Sequence, residues 1–261
     1  MRSRDLPGTR SDVLVDADVT EVTEGDGFIQ LCTPSRSDYW DGNCAILDEA
    51  PAPPDATAER WAEVLAVWFA KRGCRRLRWE CLDPRPPAAA LPEGFSYERR
   101  TTLRLVRRVE PPGPPAELTL RTARLEDFDA LTALALAEVD PTSSMVVFMR
   151  WMYEKHAALV ASGRATWWTA WDGALAVGSL GLVMGPELGR FQDVETRASH
   201  RRRGVASNLI HLALDAAGAF SEGAPPIYIA ADTDDAPVER LYRGLGFEPV
   251  SWRHTVIRRA E

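Results

Sequence analysis

The sequence predicts an α/β fold of layered α+β character, a mixed central sheet with flanking helices. Three observations carry this. Residues 117–259 read as strands interleaved with helices, in the order β-α-α-β-β-β-α-β-α-β. Asp172-Gly173 stands between two β-rich runs, a strong hairpin signal. In the first half an amphipathic helix is followed at once by a run that alternates apolar and polar residues.

The elements follow in order. Residues 1–20 are polar and without periodicity, and are expected to fray. Around 57–72, Trp61, Val64, Leu65 and Trp68 form one helical stripe, with Phe69 at its margin and Gly73 as a stop. "RLRWECL" follows, with Leu77, Trp79 and Cys81 on one side and Arg76, Arg78 and Glu80 on the other. That pattern predicts a strand with one buried face. "GFSYERRTTLRLVRR" reads as the last strand of this half. Pro111, Pro112, Gly113, Pro114 and Pro115 then exclude a helix or a central strand. The expected organisation is therefore a poorly ordered segment 1–20, a first domain 21–110, a Pro-rich linker 111–116 and a second domain 117–261. The isolated second half, from about Ala116, is expected to fold and to bind ligand alone.

In the second half, "ELTLRTARLEDFDALTALALAEV" reads as strand, turn and helix, and "SSMVVFMRWMYEKHAALVASG" as a second helix. "ATWWTAWDGALAVGSLGLVMG" is the hairpin, and "GRFQDVET" the next strand. After Arg203 comes a helix with a polar stripe of Ser207, Asn208, His211 and Asp215 on an otherwise apolar surface. "PPIYIAAD", "DAPVERLYRGLG" and "EPVSWRHTVIRR" complete it as strand, short helix and strand. Trp167, Trp168 and Trp171 in a strand, and Trp61 and Trp68 on a helix, read as core.

Composition narrows the function. A net charge of −7 excludes polyanion binding by bulk electrostatics, so any anion site is local. No signal-peptide pattern and no bilayer-length apolar run is present, which points to a cytoplasmic protein without membrane or nucleic-acid partners. Cys32, Cys44, Cys74 and Cys81 match no metal spacing and read as reduced thiols in cores. The four histidines are scattered, so no metal is expected.

One local anion site is legible. His200, Arg201, Arg202 and Arg203 form a basic run that ends at Gly204-Val205-Ala206, where a helix begins. A first helical turn presents unbonded N–H groups and positive dipole charge, and small residues let a phosphate approach them. The competing reading of the arginines is a solvated basic face. A nucleic-acid surface is disfavoured because Asp193, Glu195, Asp232, Asp234 and Asp235 surround the run in sequence.

"RRRGVA" matches the Arg/Gln-x-x-Gly-x-Gly/Ala signature at Arg201, Gly204 and Ala206. "DAPVERLYRGLGF" matches a second motif at Leu241, Tyr242, Gly246 and Phe247, and departs from it at Asp235 and Val238. On these motifs residues 117–259 resemble the GNAT N-acetyltransferase superfamily. The resemblance implies acetyl-CoA as co-substrate, with its pyrophosphate on the backbone of Arg201, Arg202, Arg203, Gly204, Val205 and Ala206. It implies pairing of the pantetheine arm with Val194, Glu195 and Thr196, and a cofactor contact at Asp235 that keeps an acceptor but no amide donor. It implies Tyr242 as proton donor to the leaving thiolate and the N–H of Val194 or Thr196 as oxyanion donor. Glu195, or Asp193 two residues before it, is the candidate base, the competing reading being that both are surface carboxylates. The acceptor is expected to be a small-molecule or peptide primary amine, and the protein a monomer or homodimer. The alternative is an acyl-CoA sensor or scaffold without turnover.

"EGFSYERRTTLRLVRR" parallels "LGFEPVSWRHTVIRR" in Gly-Phe, a β-rich run and paired arginines. The first half is therefore read either as a degenerate GNAT-like unit lacking the phosphate signature, or as an unrelated accessory domain. Asp41-Gly42-Asn43 reads as a turn.

Overall fold

The computed structural model describes residues 2–52, 56–72, 75–85, 91–111, 113, 115–232 and 236–258. The chain forms two compact units. The first gathers the described residues of 1–104, 230–240 and 248–261; the second gathers Leu105–Ile229 and Leu241–Phe247.

In the first unit the elements are α1 (Pro7–Asp16), β1 (Glu21–Gly25), β2 (Phe28–Cys32), β3 (Cys44–Leu47), α2 (Ala58–Arg72), β4 (Arg76–Cys81) and β5 (Phe95–Leu105). β1, β2 and β3 pair antiparallel, and β3 and β4 pair parallel across the α2 crossover. β4 then pairs antiparallel with the chain's final strand, β11 (Phe247–Arg258), from Trp252↔Cys81 to Ile257↔Arg76. The C-terminal strand therefore lies with the N-terminal half. Trp61, Leu65 and Phe69 of α2 pack on Leu47, Leu77, Trp79 and Val256, as the helical stripe predicts. Ile29, Leu31, Cys44 and Ile46 form a second core on the opposite face of β2 and β3, with Val13 of α1 against it.

Three expectations are corrected here. The N-terminal residues do not fray: α1 is a helix with Gly8, Thr9, Ser11, Val15 and Asp16 buried. Its first turn donates from Gly8 N (2.9 Å), Thr9 N (2.6 Å) and Thr9 Oγ1 (2.9 Å) to the carboxylate of Glu80. A carboxylate at a helix N-terminus satisfies its orphan donors and its dipole together. The cap comes from β4, 71 positions away, so no local signal announces it. Correspondingly, β4 is buried on both faces, with Arg76, Arg78 and Glu80 as buried as Leu77 and Trp79. Arg76, Arg78 and Arg100 converge on Asp41, in the turn before β3. Burial pushes the Asp41 carboxyl up, but the three guanidinium groups outweigh it and hold it well below the usual range. Cys44 is buried, as expected of a core thiol, whereas Cys32 is exposed; Cys74 lies outside the described residues.

The second unit holds β6 (Leu118–Thr122), α3 (Phe128–Ala135), α4 (Met145–Ala161), β7 (Ala165–Asp172), β8 (Leu175–Met184), β9 (Gly189–Thr196) and α5 (Val205–Ala216). β10 (Ile227–Asp232) and α6 (Ala236–Gly244) begin or end in it. β6 through β9 are an antiparallel meander, and β10 joins β9 in parallel, Ile227↔Gly189. The expected hairpin forms at Asp172↔Leu175, with Gly173 at φ 56. Trp167 and Trp168 are buried on the two faces of β7. α5 packs on β7, β8 and β9, α3 on β8, and α4 on β7. The described members of the proline run, at 111, 113 and 115, belong to no helix or strand. No described helix is long and apolar enough to cross a membrane.

Candidate active site

The helix that opens at the basic run is seated by a glycine in the sheet. A Cβ on Gly178 would lie 2.5 Å from Val205 Cγ1 and 3.2 Å from Leu209 Cδ1, so only a bare backbone lets α5 approach β8 this closely. Gly178 is the register partner of Thr196, and Arg197 N donates to Val177 O at 2.9 Å. The N-terminus of α5 is thereby held to the strand pair that contains Thr196.

The turn into α5 carries two left-handed residues, Arg202 at φ 62 and Gly204 at φ 78. Gly204 is the N-cap and makes no side-chain cap. The first intrahelical bond is Asn208 N to Gly204 O at 3.0 Å, so the N–H groups of Val205, Ala206 and Ser207 precede the ladder. Left-handed residues ahead of a free first turn form a concave set of main-chain donors, which suits an oxyanion. Asn208 Nδ2 also bonds Gly204 O, at 2.8 Å, and fixes the turn from inside.

The arginines divide between two tasks. Arg201 Nε donates to Thr196 O at 3.1 Å, and its Nη2 pairs with Glu138. Arg203 pairs with Glu117. Two of the three cations thus tie the turn to its surroundings, while Arg202 is exposed. His200 is buried, with Nδ1 2.9 Å from Ser199 Oγ and Nε2 3.2 Å from Asp172 Oδ2. That pair links the β7–β8 hairpin to the turn. The polar stripe of α5 is met by polar partners: His211 lies 3.2 Å from Asp215, which pairs with Arg108 at 3.1 Å.

Val194, Glu195 and Thr196 occupy the end of β9, but the strand is irregular. The register passes from Gly181↔Gln192 to Ser179↔Glu195, so Asp193 and Val194 together face Leu180. Asp193 takes φ 43 at this bulge, a conformation Asp tolerates better than most side chains. Simple alternation along β9 is broken there, and Glu195 is set opposite Ser179. Burial raises the Glu195 carboxyl to about 7, Asp193 adds to the rise, and the Tyr153 hydroxyl partly opposes it.

Tyr153 and His156 of α4 complete the surroundings. Both are buried, with rings 5.3 Å apart and edge to face. His156 stacks on Trp167 at 4.5 Å. Its Nε2 lies 3.1 Å from Asp193 Oδ2 without hydrogen-bond alignment. Burial lowers His156 to about 4, against the pull of Asp193, so its ring is neutral near pH 7. The sequence reading missed Tyr153, Ser179 and His156. One signal was available: Ser179 is the lone polar residue in the apolar strand "LAVGSLGLVM".

Tyr242, on α6, is 5% exposed. Its ring lies 6.3 Å from Phe247, which meets Phe191 of β9 edge-on at 6.2 Å. This aromatic chain ties the second sequence motif to the same strand as Glu195. Asp235 lies outside the described residues. Among the described residues no group of three or more His, Cys, Asp or Glu is placed to hold a metal ion.

Residues 126–247 match the family model for the acetyltransferase (GNAT) family. A comparison with curated proteins returns no match. Among solved structures, a functionally unknown conserved protein from Staphylococcus epidermidis superposes with a TM-score of 0.61 at 11% identity, over 94% of this chain and 98% of that one. A GCN5-related N-acetyltransferase from Kribbella flavida gives 0.57 at 18% identity, over 97% and 94%. A tandem GNAT protein from the clavulanic acid biosynthesis pathway gives 0.54 at 13% identity, over 93% and 80%. That last likeness spans both halves and fits a tandem fold. The matched residues contain the turn before α5, the bulged end of β9 and Tyr242, and they make residues 126–247 of this chain a GNAT-family domain.

Proposed function

We propose that the protein is an N-acetyltransferase that moves an acetyl group from acetyl-CoA to a primary amine. The observation that carries the proposal is Glu195, a half-buried carboxylate set opposite Ser179 on the strand that leads into a free helix N-terminus, where burial and Asp193 push it up to about 7. A base poised near the working pH is what an amine nucleophile requires, because the amine attacks only after losing its proton.

The donor set at Arg201, Arg202, Arg203, Gly204, Val205 and Ala206 fits a pyrophosphate through main-chain N–H groups. Val194, Glu195 and Thr196 offer the strand backbone along which an extended amide arm can pair. When bound, acetyl-CoA supplies the activated acetyl thioester. Glu195 takes the proton of the acceptor ammonium. The N–H of Val194 or Thr196 donates to the oxygen that gains charge as the amine adds. Tyr242 donates its phenolic proton as the carbon–sulfur bond breaks. Asp193 and Glu195 together favour a cationic acceptor at the approach. The catalytic residues belong to the span 117–261, and the first unit serves as an accessory domain without a cradle of its own.

An acceptor-amine screen that follows free-thiol release from acetyl-CoA tests the reading. Sustained release with at least one amine, lost in Glu195→Gln, supports it. Tight acetyl-CoA binding without release for any amine would instead make the protein an acyl-CoA sensor.

A further inference from the structure

Three buried polar atoms from three different elements meet beside the proposed base. They are Tyr153 Oη on α4, Ser179 Oγ on β8 and Glu195 Oε2 on β9, and none makes a well-aligned hydrogen bond. Ser179 and Glu195 are register partners, so their side chains rise from the same face of adjacent strands. The Tyr153 hydroxyl interacts with both of them. Buried polar groups left unbonded cost about 1–3 kcal/mol each, so three together need a reason. Loose hydrogen bonds that tighten when substrate binds are a common feature of catalytic groups.

We propose that Tyr153 and Ser179 are positioning residues for Glu195. Ser179 donates to Tyr153 Oη, and Tyr153 donates to the Glu195 carboxylate, aiming its other oxygen at the acceptor's proton. Asp193 opposes them from the bulge. The inference rests on Glu195 acting as the base.

The local structure supports a defined role for each group. Tyr153 is held rigidly, since its ring abuts His156, which is stacked on Trp167. The bulge turns Asp193 toward His156 and brings Glu195 level with Ser179. The titratable groups that act on the carboxylate are Asp193 of β9 and Tyr153 of α4; His156 meets Asp193, and Lys155 acts on His156. His156 is neutral near pH 7 and does not offset Asp193. Tyr153 stabilises the ionised carboxylate, and Asp193 destabilises it. Removing them should therefore act in opposite directions.

The test is the pH profile of kcat/KM in the full chain, with one fixed acceptor amine, whose own ionisation is common to every variant. In Tyr153→Phe the acidic limb should move up by about one pH unit. In Asp193→Asn, which keeps a side chain tolerant of φ 43, it should move down. If Tyr153→Phe does not fold, Ser179→Ala serves, with a smaller upward shift. Acetyl-CoA affinity should be unchanged in all three. A limb that stays fixed in Tyr153→Phe, or in Ser179→Ala where only that variant folds, would overturn the inference, as would a downward shift. Full activity in Glu195→Gln would instead remove the base assignment itself, so the two failures are distinct.

Discussion

Gly204 combines two demands at one position. Its φ of 78 favours glycine, and the phosphate proposed to lie before α5 would need the space a side chain would fill. The two are separable. Gly204→Asn tolerates the left-handed backbone but adds a side chain, whereas Gly204→Val also strains the backbone by about 1–3 kcal/mol. Both should lose acetyl-CoA binding by calorimetry, and only the Val variant should lose that much stability. Binding retained in Gly204→Asn would place the phosphate elsewhere. Tyr242→Phe removes a hydroxyl and keeps the ring against Phe247, so acetyl-CoA affinity should persist while turnover falls by about 10²–10⁴-fold. At Glu195 the folded pKa of about 7 lies above the ordinary 4.5. The folded chain therefore holds a proton that the unfolded chain has released, and stability falls as pH rises between those values. His156, lowered to about 4, acts the other way, losing stability as pH falls below 6.5. Comparing Glu195→Gln with the parent isolates the Glu195 contribution. The variant should be equally stable at pH 4 and more stable at pH 8, by about 2–3 kcal/mol, in denaturant titrations.

At the scale of elements, α1 depends on a distant carboxylate. Glu80→Ala would leave Gly8 N, Thr9 N and Thr9 Oγ1 without their acceptor in a buried setting. A loss of about 2–4 kcal/mol is expected, with hydrogen exchange rising first over Pro7–Asp16. Exchange unchanged in α1 would show that the helix is held by something else. The helices and strands themselves were largely legible. Trp61, Leu65 and Phe69 face the core as their spacing implies, and Asp172-Gly173 makes its hairpin, because both signals are local. The cap of α1 and the second buried face of β4 were not legible, because Glu80, Arg76 and Arg78 acquire partners only from remote segments.

For the whole molecule, β11 matters most. Its residues Trp252–Ile257 pair with β4, so a fragment from Ala116 onward carries this strand without its partner. Such a fragment is expected to aggregate or to stay unfolded, in contrast to the expectation from the linear sequence. Binding studies therefore require the full chain. There, titration should saturate at one acetyl-CoA per chain, since the sequence of the first unit lacks the Arg/Gln-x-x-Gly-x-Gly/Ala signature; two would show a second working cradle.

Some of this protein was determined by the sequence alone. The proposed cradle consists of consecutive residues, Arg201 to Ala206, and the helix they start, so local spacing was enough to suggest it. Tyr242 was put forward by its motif, and Glu195 by its place on the strand before that turn. Only the tertiary structure decided the rest. The bulge at Asp193 is a property of two paired strands, and it sets Glu195 opposite Ser179. Tyr153 and His156 reach the site from a helix some 40 residues earlier, where no local pattern distinguishes them from core. Short-range periodicity records which way a side chain points. Burial, charge and proton affinity depend on what the rest of the chain brings to meet it.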